Sequence, residues 1–110
     1  MKQYVIDELR PGDADKIRKY LSENVQIGPL PDVYWVWIQE EMLDIDQRDH
    51  HQCQPHYWAI EISDHHLACE LLIRSSQRMR CNCVKYANET QRNIIIQWIE
   101  SLLVELNILT

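Results

Sequence analysis

Apolar and polar positions change period several times along the chain, and each change marks an element. Gln3 to Leu9 alternates weakly, as a half-buried strand does, until Pro11-Gly12 interrupts it. From Asp13, which reads as a helix N-cap, Ala14, Ile17, Leu21 and Val25 recur at helical spacing while Asp15, Lys16, Lys19 and Glu23 face the other way. This predicts a helix to about Asn24, ended by Gly28-Pro29-Leu30-Pro31, whose prolines cannot donate backbone hydrogen bonds. Val33 to Ile38 is rich in β-branched and aromatic residues and apolar on both faces. Such a strand is either interior or has one face at a subunit contact, which makes Tyr34, Trp35 and Trp37 candidate contact residues. Gln39 to His51 reads as an acidic helix with Met42, Leu43 and Ile45 as its few apolar contacts.

Three alternating runs follow, Tyr57 to Ile62, Leu67 to Arg74 and Met79 to Tyr86, separated by turn-forming residues, the pattern of two successive hairpins. In that register Trp58, Ile60 and Ile62 share an apolar face with Leu67, Cys69, Leu71 and Ile73, and Met79, Cys81 and Cys83 extend it. Glu61, Glu70, Arg74 and Arg80 fall on the opposite face, where ion pairing is their expected role. Asn88 and Gln91 have capping-box spacing, and Ile95, Trp98, Ile99, Leu102 and Leu106 form the stripe of a last helix. The expectation is a single α+β domain over residues 1–110, ordered β-α-β-α-β-β-β-α. Its mostly antiparallel sheet has four to five strands, with helices packed on one face.

Composition permits this and narrows the function. At 45% hydrophobic residues a chain of this length builds a core without disulfide staples, so Cys53, Cys69, Cys81 and Cys83 are expected as free thiols. No secretory leader or membrane-length apolar run is read, and the expectation is a cytoplasmic protein that does not engage membranes. The net charge of −6 is uneven: residues 21–70 hold ten acids against Arg48 alone, while residues 71–92 hold five basic residues against Glu89. So acidic a chain is not expected to track nucleic acid. Its basic segment, with Arg74, Arg78 and Arg80 as candidate contact residues, suits an acidic protein partner or a second copy of the chain.

The candidate chemistry lies in residues 50–66, which contain all five histidines and Cys53. The predicted strand divides the group. His56 opens it, whereas His65 and His66 lie in the turn about 20 Å away, at roughly 3.3 Å per residue, so they cannot share an ion. The turn pair reads as solvated polar residues. The other part, around His50, His51, Cys53 and His56 and able to recruit Cys81 or Cys83 from a neighbouring strand, has ligand types suited to zinc, with His51, Cys53, His56 and Cys81 as the candidate ligands. Packing is the competing account for Cys69, Cys81 and Cys83, because free cysteine behaves as a small buried hydrophobe. Cys53 beside His51 or His56 is also a conceivable nucleophile pair. Leu9 to Ile17 resembles the opening strand-to-helix passage of acetyl-CoA-dependent N-acetyltransferases. The glycine-rich pyrophosphate loop which that resemblance implies is missing, since the chain contains only Gly12 and Gly28. Two readings therefore stand. One is a non-catalytic, homodimeric protein- or ligand-binding module without a cofactor; the alternative is a zinc or thiol-dependent site around residues 50–56.

Overall fold

The two apolar-rich runs Val33 to Trp37 and His56 to Ile62 lie side by side at the centre of a sheet, in a computed structural model that describes residues 1–109. The chain runs β1 (Gln3–Ile6), α1 (Asp13–Asn24), β2 (Gln26–Ile27), β3 (Val33–Trp37), α2 (Ile45–Asp49), β4 (His56–Ile62), β5 (Leu67–Glu70), β6 (Leu72–Ser75), β7 (Lys85–Tyr86) and α3 (Glu89–Glu105). One-turn helices at Glu40–Met42 and His51–Cys53 flank α2. All pairings are antiparallel, in the order β1-β5-β4-β3-β2, with β6 also on β4 and β7 on β6. The α+β class is as expected, with three α-helices and, among the described residues, seven strands in place of four to five.

The higher count has a local cause. Ile60 pairs with Cys69, but Tyr57 pairs with Arg74, so two residues of β4 oppose four of its partner. The strand read as Leu67 to Arg74 therefore breaks at Leu71, whose N–H donates to the Lys2 carbonyl while its own carbonyl accepts from Ala87. The insertion is even-numbered, so Cys69 and Ile73 still point to the same face. Two other boundaries move. Met79 to Tyr86 is a strand only at its end, β7, and residues 76–84 form a loop; the acidic helix contracts to α2 and its flanking turns. Gly12, with φ of 90°, precedes the first helix in place of an Asp13 cap, and the Asp13 carboxylate instead accepts the Arg10 N–H at 3.0 Å.

One sheet face carries Tyr34, Val36, Trp58, Ile60, Ile62 and Cys69, all buried. Ile17 and Leu21 of α1 and Ile95, Ile99 and Leu102 of α3 cover it, and Trp98 meets Trp58 edge-on at 5.5 Å between ring centroids. Each fully buried aliphatic side chain in this layer contributes about 1.5–3 kcal/mol. The last helix is set by the expected box: Asn88 Oδ1 accepts the Gln91 N–H at 2.8 Å, and Gln91 Oε1 accepts the Asn88 N–H at 3.1 Å. The other sheet face carries an aromatic group. Trp35 stacks on Tyr57 there at 4.0 Å, and Trp37 meets both rings edge-on.

Candidate metal centre

At one end of β4, two segments that contribute no strand to that end of the sheet are brought together. The first is α2 with the turn behind it. Asp44 and Gln47 form a capping box at the start of α2, and the helix ends at His50, whose backbone (φ −89°, ψ 66°) turns the chain into His51–Cys53. The Cys53 N–H donates to the His50 carbonyl at 2.9 Å, which folds Cys53 back beside His50. The second segment is the loop between β6 and β7. Ser75 Oγ donates to the Cys53 carbonyl at 2.6 Å where the loop leaves the sheet, and Val84 N–H donates to Cys81 O at 3.0 Å in the turn that carries Cys81 and Cys83.

His50, Cys53, Cys81 and Cys83 thereby place one donor atom each so that all four lie within 4.8 Å of one another, close enough to hold a metal ion. Cys53 Sγ is 3.7 Å from Cys81 Sγ, and His50 Nδ1 is 3.0 Å from Cys81 Sγ. A tetrahedral zinc with Zn–S near 2.3 Å needs a sulfur–sulfur edge of about 3.8 Å and a nitrogen–sulfur edge of about 3.5 Å. The thiol pair already has that spacing, and the imidazole needs to recede by about half an ångström.

The surroundings hold these donors in place. Gln47 is fully buried; its Nε2 donates to the Cys83 carbonyl at 3.1 Å, and its Oε1 accepts from Gln91 Nε2 at 2.9 Å, so α2, the cysteine loop and α3 share one polar chain. Lys85 adds an ion pair to Asp44 at 2.7 Å and a second to Asp46 at 3.2 Å. Burial alone would raise the Asp44 pKa, but Lys85 and the Gln47 N–H outweigh it and hold the carboxyl below its ordinary value. Part of the acidic and basic charge is thus neutralised within the fold.

Electrostatics distinguish the two loop cysteines. Cys81 is half-exposed, and hydrogen bonds from the Cys83 backbone and thiol, then from His50 and Cys53, bring its pKa down to about 6. Cys83 is buried, and burial followed by its two sulfur neighbours pushes its pKa up. His56 lies behind the group with no exposed surface, its Nε2 3.3 Å from Cys83 Sγ and its Nδ1 without a partner. Burial lowers its pKa first, with His50 adding to the effect and Asp44 opposing it, so the ring is neutral near pH 7. With its proton on Nε2 it donates to the Cys83 sulfur, as groups behind a metal ligand commonly do.

Of the residues expected from sequence, Cys53 and Cys81 are in the group, His51 is exposed outside it, and His56 stands behind Cys83. His50 and Cys83 take the two remaining places. The Cys81-x-Cys83 spacing is a visible signal for Cys83, and the Asp44-x-x-Gln47 box is one for the helix that ends at His50. His65 and His66 are in the far turn, where His66 Nδ1 meets Ser63 Oγ at 2.8 Å. Cys69 is sealed in the core, and burial pushes its thiol pKa far up.

The contact candidates are dispersed. Tyr34 points into the core, Trp35 is half-buried against Tyr57, and Trp37 is exposed. Arg74 is paired with Glu70 at 2.9 Å, whereas Arg78 and Arg80 are exposed and in no ion pair among the described residues. Among those residues no helix is long and apolar enough to cross a membrane. Comparisons of the chain with protein-family models, curated proteins and solved structures find no match.

Proposed function

We propose that His50, Cys53, Cys81 and Cys83 bind zinc as the structural centre of a small, non-catalytic binding module. The observation that carries this reading is the convergence of three sulfurs and one imidazole nitrogen within 4.8 Å, from two segments far apart in the sequence. Three thiolates and one imidazole are a common structural zinc set, and four protein donors fill a tetrahedron. Catalytic zinc keeps a position for water or substrate, and the burial of Cys53 and Cys83 also favours a closed centre. The ion would tie the loop at 76–84 to the end of α2 and so fix a surface that backbone pairing leaves free.

The test is metal analysis of untagged protein, followed by replacement with cobalt(II). The expected results are stoichiometric zinc and, for the cobalt form, intense visible bands of a tetrahedral site with a thiolate charge-transfer band. A second reading has its own support in the half-exposed Cys81 beside His50: a thiol-dependent site, in which imidazole and thiol form a reactive pair. Metal-free protein that takes up no zinc, but whose Cys81 is alkylated much faster than a model thiol, would replace the first reading with the second.

A further inference from the structure

We infer that this protein associates with a second copy of itself by seating the Arg78-Met79-Arg80 tip of one chain in a tryptophan-lined cavity of the other. Two features of the monomer complement one another, an exposed apolar side chain for an apolar cavity and basic charge for acidic. The first is a cavity of about 270 Å³ between the end of β3, the turn at Glu40–Met42 and α3, walled by Trp37, Met42, Trp58, Ile94 and Trp98. Trp37 and Met42 are 42% and 40% exposed, so apolar surface remains open at its mouth. Glu40 and Glu41, in the turn that forms one wall, are exposed and in no ion pair among the described residues. Arg48 is the nearby cation, and its guanidinium is occupied with the Glu41 and Leu43 carbonyls.

The second feature is the loop tip. Met79 is 94% exposed, so it fills no cavity of its own chain, and it lies between two unpaired arginines on a protein of net charge −6. The tip has a fixed root. Ser75 Oγ accepts the N–H groups of Gln77 and Arg78 at 3.1 and 3.0 Å, and on the other side Gln47 holds the Cys83 carbonyl. A methionine thioether packs favourably against aromatic rings, and flanking arginines suit an acidic rim. Each chain carries one tip and one cavity, so in a two-fold pair each tip fills the other chain's cavity, and the contact, made twice, closes the assembly as a dimer. The contact stands apart from the zinc reading except that Cys81, next to the tip, is one of the proposed ligands.

Sedimentation of the full chain over a concentration series, in low and high salt and with and without a strong chelator, tests this. The wild type should dimerise, more weakly in high salt because the paired charges are near the surface. Arg78→Glu/Arg80→Glu and Glu40→Lys/Glu41→Lys should each weaken association by about tenfold or more, since like charges then face one another across the contact. An equimolar mixture of these two folded variants should form the heterodimer, because each tip then meets a rim of opposite sign. Met79→Asp should be monomeric with unchanged circular dichroism. A wild type that stays monomeric at high concentration, or reversal variants that dimerise as tightly as wild type, would overturn the inference. A dimer that survives chelation would support the tip-and-cavity contact whatever the metal analysis shows, so the two proposals can fail separately.

Discussion

Replacing Gln47 tests how the fold supports the candidate centre. Its buried side chain serves three groups: it accepts from the Asp44 N–H at 3.2 Å and from Gln91 Nε2 at 2.9 Å, and donates to the Cys83 carbonyl at 3.1 Å. Gln47→Met keeps most of the volume and removes all three bonds. Asp44 is part-exposed and can turn to water, while Gln91 retains its bond to the Met42 carbonyl. The cost therefore falls on the Cys83 carbonyl and on one Gln91 N–H. At about 1–3 kcal/mol for each buried group left unpaired, roughly 3 kcal/mol is expected, a large share of the about 5–15 kcal/mol typical of a domain. Urea unfolding of the metal-loaded protein should show the midpoint lowered by about 1–3 M with an unchanged slope. Competition against a chromophoric chelator should show zinc affinity lowered by about 10–100-fold, because Cys83 loses the group that orients it. A Gln47→Met protein within about 0.5 kcal/mol of wild type would refute the unpaired-group argument. Lost stability with intact affinity would show that the network serves the fold and not the site.

Four further outcomes are expected. His50→Ala should lower zinc affinity sharply while His51→Ala leaves it unchanged, so equal effects in a chelator competition would contradict the assignment of His50. Cys69→Ala should cost about 1 kcal/mol and leave metal content intact, and in native protein Cys69 should react with Ellman's reagent only after denaturation; early labelling of Cys69 would contradict its burial. Because the folded-state pKa of Asp44 is depressed, its contribution is fully present at neutral pH and is lost as pH falls below the ordinary aspartate range through the folded value. Asp44→Asn should flatten that acid limb in pH-dependent unfolding, and an unchanged acid limb would show that the Lys85 pair contributes nothing. Asn88→Ala should cost about 1 kcal/mol in thermal unfolding through loss of the α3 cap, and an unchanged transition would count against the box.

The helices show what the sequence made legible. Ile17 and Leu21, and Ile95, Ile99 and Leu102, face the core because a 3.6-residue period leaves them no other common direction, and the Asn88/Gln91 box fixes its helix through local bonds alone. The separation of His56 from His65 and His66 was legible for the same reason, since a strand of known rise keeps its ends apart. The loop at 76–84 was not. Met79, Cys81 and Cys83 alternate as strand residues do, yet the loop leaves the sheet at Ser75, and its course is set by Ser75, Gln47 and Lys85 contacts to residues far away in sequence. Leu71 likewise breaks its strand where its backbone groups bond to Lys2, just before β1, and to Ala87, just after β7, which no local pattern announces. His50 replaced His51 because one backbone turn at the end of α2 decides which imidazole faces Cys81, and both residues have the same side chain. Cysteine and histidine content located the site, and long-range contacts selected its members.

The most direct test of the central claim is the metal content of the untagged chain, set beside that of Cys53→Ser, Cys81→Ser and Cys83→Ser variants. The account predicts a single tightly held zinc per wild-type chain, with affinity greatly reduced in each variant and unchanged in Cys69→Ser. A wild-type protein that neither carries zinc nor takes it up, or one that loses it no faster in those three variants than in Cys69→Ser, would contradict it.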